Sequence, residues 1–380
     1  MNFDDIRCYS DNEIAPALER LMDEKQFMKV LSTVYPLLPK EVIKQRLSSY
    51  TNALDFQKGM IYPFLKYIEA NLTTGISLHG LECIDKSKPY LYISNHRDII
   101  LDSALLCLNL IDNELNTVEI AIGDNLLVFP WIAELVRVNK SFIVKRGLSA
   151  RQILESSQKL SAYIEHTIND KQQSIWLAQR EGRAKDSNDR TQESLLKMLN
   201  MGGSGSIAEN LAALNICPLS ISYEYDPCDF LKAKEFQQKR DNAEFKKSKQ
   251  DDLINMQTGV MGYKGKITYR MSACITNEVL ALGHEEQNKA ALYTAVAKLI
   301  DKNIHTGYEI YPINKIAYDI LDGNGLFEGE YTLLQKLDFE KYLEQQLAKI
   351  ELDNRDDNFL LRKMLEMYAN PLINKLEAAK

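Results

Sequence analysis

The sequence predicts an α/β fold: a mixed, largely parallel sheet flanked by helices, with helical extensions at both ends. Two observations carry this. From Thr74 to about residue 284, short strand-like apolar runs alternate with helix-length segments, the pattern of strands joined by crossover helices. On either side of that stretch, apolar residues recur at helical spacing instead. The chain therefore divides into an N-terminal helical region (1–73), an α/β region (74–284) and a C-terminal helical region (285–380).

In the first region, 12–35 and 40–72 carry the helical pattern, and Pro36 and Pro39 break it between them. In the second, the runs ISLHGLECI, PYLYIS, VEIAIG, SFIVKR, SIWLAQ, CPLSISYEY and KGKITYRMSACI read as strands, with IILDSALLCLNLI and IAENLAALN among the segments between them. The charge run 232–252 (KAKEFQQKRDNAEFKKSKQDD) reads as a solvated helix face, because its acids nearly balance its bases. Gly202–Ser206 reads as a turn. Asn125–Ala133 (NLLVFPWIA) reads as core packing.

Composition bounds the function. With 380 residues, 45% hydrophobic and 26% charged, the chain is long enough to bury a sizeable core. A net charge of -7 argues against a nucleic-acid binder, so any anion site must be a local patch. Six cysteines, none in a CxxC pair or near a histidine at zinc-ligand spacing, read as reduced thiols, and no metal is expected. The opening MNFDDIRCYSDNE is too polar and acidic for a secretory signal. No stretch reaches the roughly 18 apolar residues a spanning helix needs. Ile99–Ile111 comes nearest, but it is short and carries Asp102 and Asn109.

Chemistry concentrates in four segments. In YISNHRDIILDS a strand ends at Asn95-His96, and a helix opens almost at once with Asp98 at a plausible N-cap. Sites in α/β sheets lie beyond the carboxyl ends of the strands. A histidine there, oriented by a carboxylate, can take a proton from a hydroxyl. SFIVKRG ends a strand in Lys145 and Arg146, and SIWLAQREGRAKD runs from a strand into Arg180, Glu181, Gly182, Arg183 and Lys185. NICPLSISYE is a further strand. Between Arg137 and Arg190 the sequence carries eleven bases and six acids, a local excess of +5. Arginines at strand ends suit a phosphate, whose oxygens pair with the guanidinium fork. His79, His166, His284 and His305 have no carboxylate or cysteine at a telling spacing and read as structural.

In this order, the histidine with its aspartate, FIVKR, EGR and CPLSISYE resemble the four blocks of the glycerolipid acyltransferases, the glycerol-3-phosphate and 1-acylglycerol-3-phosphate enzymes. The likeness covers about 75–280, and KGKITYRM resembles the family's late GK strand. It implies acyl transfer from acyl-CoA or acyl-carrier protein to a glycerol-phosphate-type acceptor. It also implies His96 as base, the acceptor phosphate on Arg146 and Arg183 with Lys145 or Lys185 in support, and no cofactor. The implied setting is cytoplasmic, peripheral on the inner face of the cytoplasmic membrane.

Two departures leave choices open. Five residues separate His96 from Asp102 where the family has four, so Asp102 is favoured as partner and Asp98 is the alternative. EGRAKD replaces EGxRS, so either Arg183 or Lys185 takes the phosphate. A lyso-aminolipid acceptor, or a catalytically silent lipid-binding relative, are the competing readings.

Overall fold

A computed structural model describes residues 1–286 and 288–380. Seven strands form one sheet: β1 (Gly75–His79), β2 (Leu91–Ser94), β3 (Glu119–Gly123), β4 (Ser141–Val144), β5 (Ile175–Ala178), β6 (Ile216–Tyr223) and β7 (Lys266–Met271). Each falls on a run read as a strand, with β1 starting one residue ahead of its run. The order is β1-β7-β6-β2-β5-β3-β4. Every neighbouring pair is parallel except β6 and β7. Five strands therefore point their carboxyl ends to one edge, and β1 with β7 run the other way.

Side-chain alternation splits the core across the two faces. Leu91 and Ile93 of β2 join Ile175 and Leu177 of β5 on one face, beneath the helix Ala150–Asn169. Tyr92, Trp176, Leu219 and Ile221 lie on the other, against the helix Leu101–Asp112. Leu91, Ile93 and Leu219 are fully buried. Burying side chains of this size contributes roughly 1.5–3 kcal/mol each. This packing fixes the central strands, and with them the carboxyl edge where the site sits.

The N-terminal helices pack a cluster of their own, with Ile14, Leu18, Phe27, Ile43, Leu47 and Phe56, which reaches Trp131 and Leu135. A second satellite core gathers Ile313, Phe339, Leu360 and Met364 near the C-terminus. Helix Lys289–Thr306 begins after the boundary read at 285, yet Leu292, Val296 and Ile300 pack into the sheet's core.

The charge run departs from its reading. It forms parts of two helices, Asp229–Asp241 and Lys249–Met261, and the first buries Lys232, Glu235 and Gln237. Each buried charge has a partner, as burial requires. Lys232 pairs with Asp226, and Glu235 receives Lys185 and Lys239.

Candidate active site

The site is built on the turn that follows β2. Asn95 is fully buried, and its amide takes both main-chain groups of Ile221 on β6, each at 2.8 Å. Ser94 Oγ donates to Asn95 O at 2.7 Å and accepts Trp176 Nε1–H at 3.0 Å. These bonds anchor the chain on both neighbouring strands before it turns. The ring of His96 then packs edge-on against Trp176, with centroids 5.6 Å apart. Its side chain is 14% exposed, enough to leave one edge open to solvent.

His96 Nδ1 lies 2.8 Å from Asp102 Oδ2. That oxygen also accepts the main-chain N–H groups of Arg97 (2.6 Å) and Asp98 (3.1 Å). Asp102 sits in the first turn of Leu101–Asp112, and its Oδ2 is met from three sides. The tautomer this selects has its proton on Nδ1 and a lone pair on Nε2. Asp102 is fully buried, Tyr269 Oη donates to its main-chain oxygen at 2.8 Å, and Asp102 Oδ1 has no partner among the described residues.

Asp98, the alternative partner, makes no bond to the ring. Its Oδ1 accepts the N–H groups of Ile100 (2.9 Å) and Leu101 (2.8 Å), closing the start of the helix. Burial, then the neighbouring Asp102, push its carboxyl above the usual range. The one-residue insertion in the motif is thus absorbed by an Asp98-capped turn, and Asp102 reaches the histidine over five intervening residues. Gly259 makes room for this turn, since a Cβ there would overlap the Asp98 carboxylate.

The expected cations separate into different surroundings. Arg146 crosses the end of β3 over Gly123, where a Cβ would collide with its Nε, and pairs with Glu181 beyond β5. Its main-chain N–H bonds Asp124 Oδ1 at 3.1 Å. Arg146 and Glu181 are therefore brought together. Lys145 instead turns outward to Asp5, at 2.5 Å, an acid it shares with Lys159. Arg183 donates to Asn255 Oδ1 at 3.0 Å, and Lys185 pairs with Glu235 at 2.6 Å. Arg183 and Lys185 thus bond groups on the helices 229–241 and 249–261, and the pairing of all four with acceptors of this chain was not visible in local sequence. Gly182 is exposed at φ +67, with open space where a side chain would be.

Two further residues depart from the sequence reading. His166 has a carboxylate partner after all: Asp170 Oδ2 lies 2.7 Å from its Nδ1, one helical turn on. Trp176, Asn95 and Gly259 shape the site without having been singled out. Asn95 could have been found from its place in the histidine motif, but Gly259 comes close only through the fold. No group of three or more His, Cys, Asp or Glu side chains is arranged to hold a metal among the described residues.

Residues 75–222 match the profile of the family described as Acyltransferase. No curated protein matches the chain. Among solved structures, the chain is similar to the 1-acyl-sn-glycerophosphate (LPA) acyltransferase PlsC from Thermotoga maritima. That match has 12% identity and a TM-score of 0.39, and covers 78% of this chain and 96% of the other. The stretch that matches the Acyltransferase profile holds His96, Asp102 and the cationic strand ends.

Proposed function

We propose that the protein moves a fatty acyl group from an acyl thioester, on CoA or acyl-carrier protein, to a hydroxyl of glycerol 3-phosphate or 1-acylglycerol 3-phosphate. The observation that carries this is the His96–Asp102 pair at the carboxyl edge of β2, with the carboxylate buried and the ring partly open. Nε2 of His96 takes the acceptor's hydroxyl proton as its oxygen bonds the thioester carbonyl carbon. Asp102 holds the ring and stabilises the imidazolium. The oxyanion is assigned to main-chain N–H near Gly182, since Glu181 N–H already donates to Gln192 Oε1. The C–S bond then breaks, and the leaving thiolate takes the proton from His96. No bond between acyl group and protein forms along this route. No helix among the described residues is long and apolar enough to cross a membrane, and peripheral contact with the inner leaflet is the reading that suits a lipid product.

The pairing of Arg146, Lys145 and Lys185 with the chain's own acids favours a second reading, a phosphate-free lyso-aminolipid acceptor. Labelled acyl-CoA or acyl-carrier protein, offered with glycerol 3-phosphate, 1-acylglycerol 3-phosphate or a lyso-aminolipid, separates the two. Ester formed on the phosphate acceptors is the expected result. Product on the lyso-aminolipid alone supports the second reading, and no ester on any acceptor leaves a silent relative.

A further inference from the structure

The cations expected to bind phosphate are already engaged, and Arg180 is not. Arg180 makes no hydrogen bond or ion pair among the described residues. It is half-buried, and its Nε is enclosed without a partner. Register sets its position. β2 and β5 pair in parallel with Tyr92 beside Trp176 and Ser94 beside Ala178. A further ladder bond, Gln179 N–H to Ser94 O at 2.8 Å, carries the pairing past the end of β5. Continued past both strand ends, where the chain bends, this register sets Arg180 opposite His96. Alternation puts Arg180 on the face of Trp176 and Ala178, and it is the Trp176 ring that touches His96.

We propose that Arg180 receives the anionic group of the acceptor, in place of Arg183. This rests on the acyl-transfer reading above and assigns its acceptor subsite to a residue ahead of Glu181-Gly182, where the family pattern has its arginine after them. A guanidinium beside the base, with no carboxylate of its own, can pair bidentately with a phosphate while the adjacent hydroxyl meets Nε2. Arg183, fixed to Asn255 and flanked by Asp98 and Asp226, serves instead to hold the buried turn.

The test compares wild type, Arg180→Ala, Arg180→Lys and Arg183→Ala. It measures apparent KM for glycerol 3-phosphate and for the acyl donor, and calorimetric binding of glycerol 3-phosphate alone. Arg180→Ala should raise the acceptor KM and weaken acceptor binding by about 10- to 100-fold, the loss expected for a charge-assisted pair, with donor KM within about two-fold. Arg180→Lys should fall between, keeping the charge but losing the fork. Arg183→Ala should move the melting temperature more than the acceptor KM. Unchanged acceptor binding in a folded Arg180→Ala, or a larger acceptor defect in Arg183→Ala, overturns the assignment alone. Wild-type inactivity on every phosphate acceptor overturns the acyl-transfer reading and takes this assignment with it.

Discussion

Among the described residues, two histidine–aspartate pairs are of nearly equal length and lie in very different surroundings. His96 and Asp102 are 2.8 Å apart, and His166 and Asp170 are 2.7 Å apart. In the first, the carboxylate is fully buried, takes two main-chain N–H groups and holds a ring braced by Trp176. In the second, the partners sit one turn apart at the end of a helix, with side chains 42% and 71% exposed. An exposed pair of this kind contributes about 0.3–0.5 kcal/mol and is screened by salt. Contact distance therefore does not identify a base. What sets the proposed base apart is a buried partner held by two main-chain N–H groups, and a partly exposed ring at the carboxyl edge of the sheet.

The largest effect that can break this comparison comes from the carboxylates. Asp102→Ala should lower kcat by about 100- to 10,000-fold, the range that positioned proton transfer contributes, whereas Asp170→Ala should leave turnover unchanged. Steady-state rates on one acceptor decide it, and comparable losses in both variants would erase the distinction. A smaller effect probes the turn that delivers Asp102. Gly259→Ala forces the Asp98 carboxylate to move, so it should cost roughly 1–3 kcal/mol of stability and lower activity without touching His96. Denaturant unfolding and rate measurements on the same sample check both, and a silent substitution would mean that the turn is not held from that side.

The smallest effect calibrates what burial does to a carboxylate that has no histidine. Asp229 accepts the hydroxyls of Tyr342 (2.7 Å) and Tyr368 (2.8 Å), and burial pushes it up to about 7. Between about pH 4 and 7 the folded chain keeps a proton here that the unfolded chain has released. Stability therefore falls as pH rises across that window and is level above it. Asp229→Asn should narrow the difference between melting temperatures at pH 5 and pH 8. An unchanged difference would assign the pH dependence to other groups.

Much of the fold could be read from the sequence, because apolar period and turn signals are local. The strands around Ile93, Leu177 and Leu219 each carry their own pattern. His96 was legible for the same reason, as a strand end meeting a helix start. The choice between Asp98 and Asp102 was not, since it depends on how one extra residue folds into a turn. The partners of the cations were further out of reach. Lys185 meets Glu235 and Arg183 meets Asn255 across 50 or more residues, and Arg146 reaches Glu181 only because Gly123 has no side chain. His166 shows the opposite limit: its partner lies four residues away on one helix face, a spacing that helical geometry brings together by default.

We propose that His96 is a base and that His166 is not. The most direct measurement is kcat/KM for His96→Ala and His166→Ala on the same acyl donor and acceptor, with folding checked by circular dichroism. The first should lose essentially all turnover while staying folded, and the second should match wild type. A folded His96→Ala protein that still transfers acyl groups at the wild-type rate would contradict it.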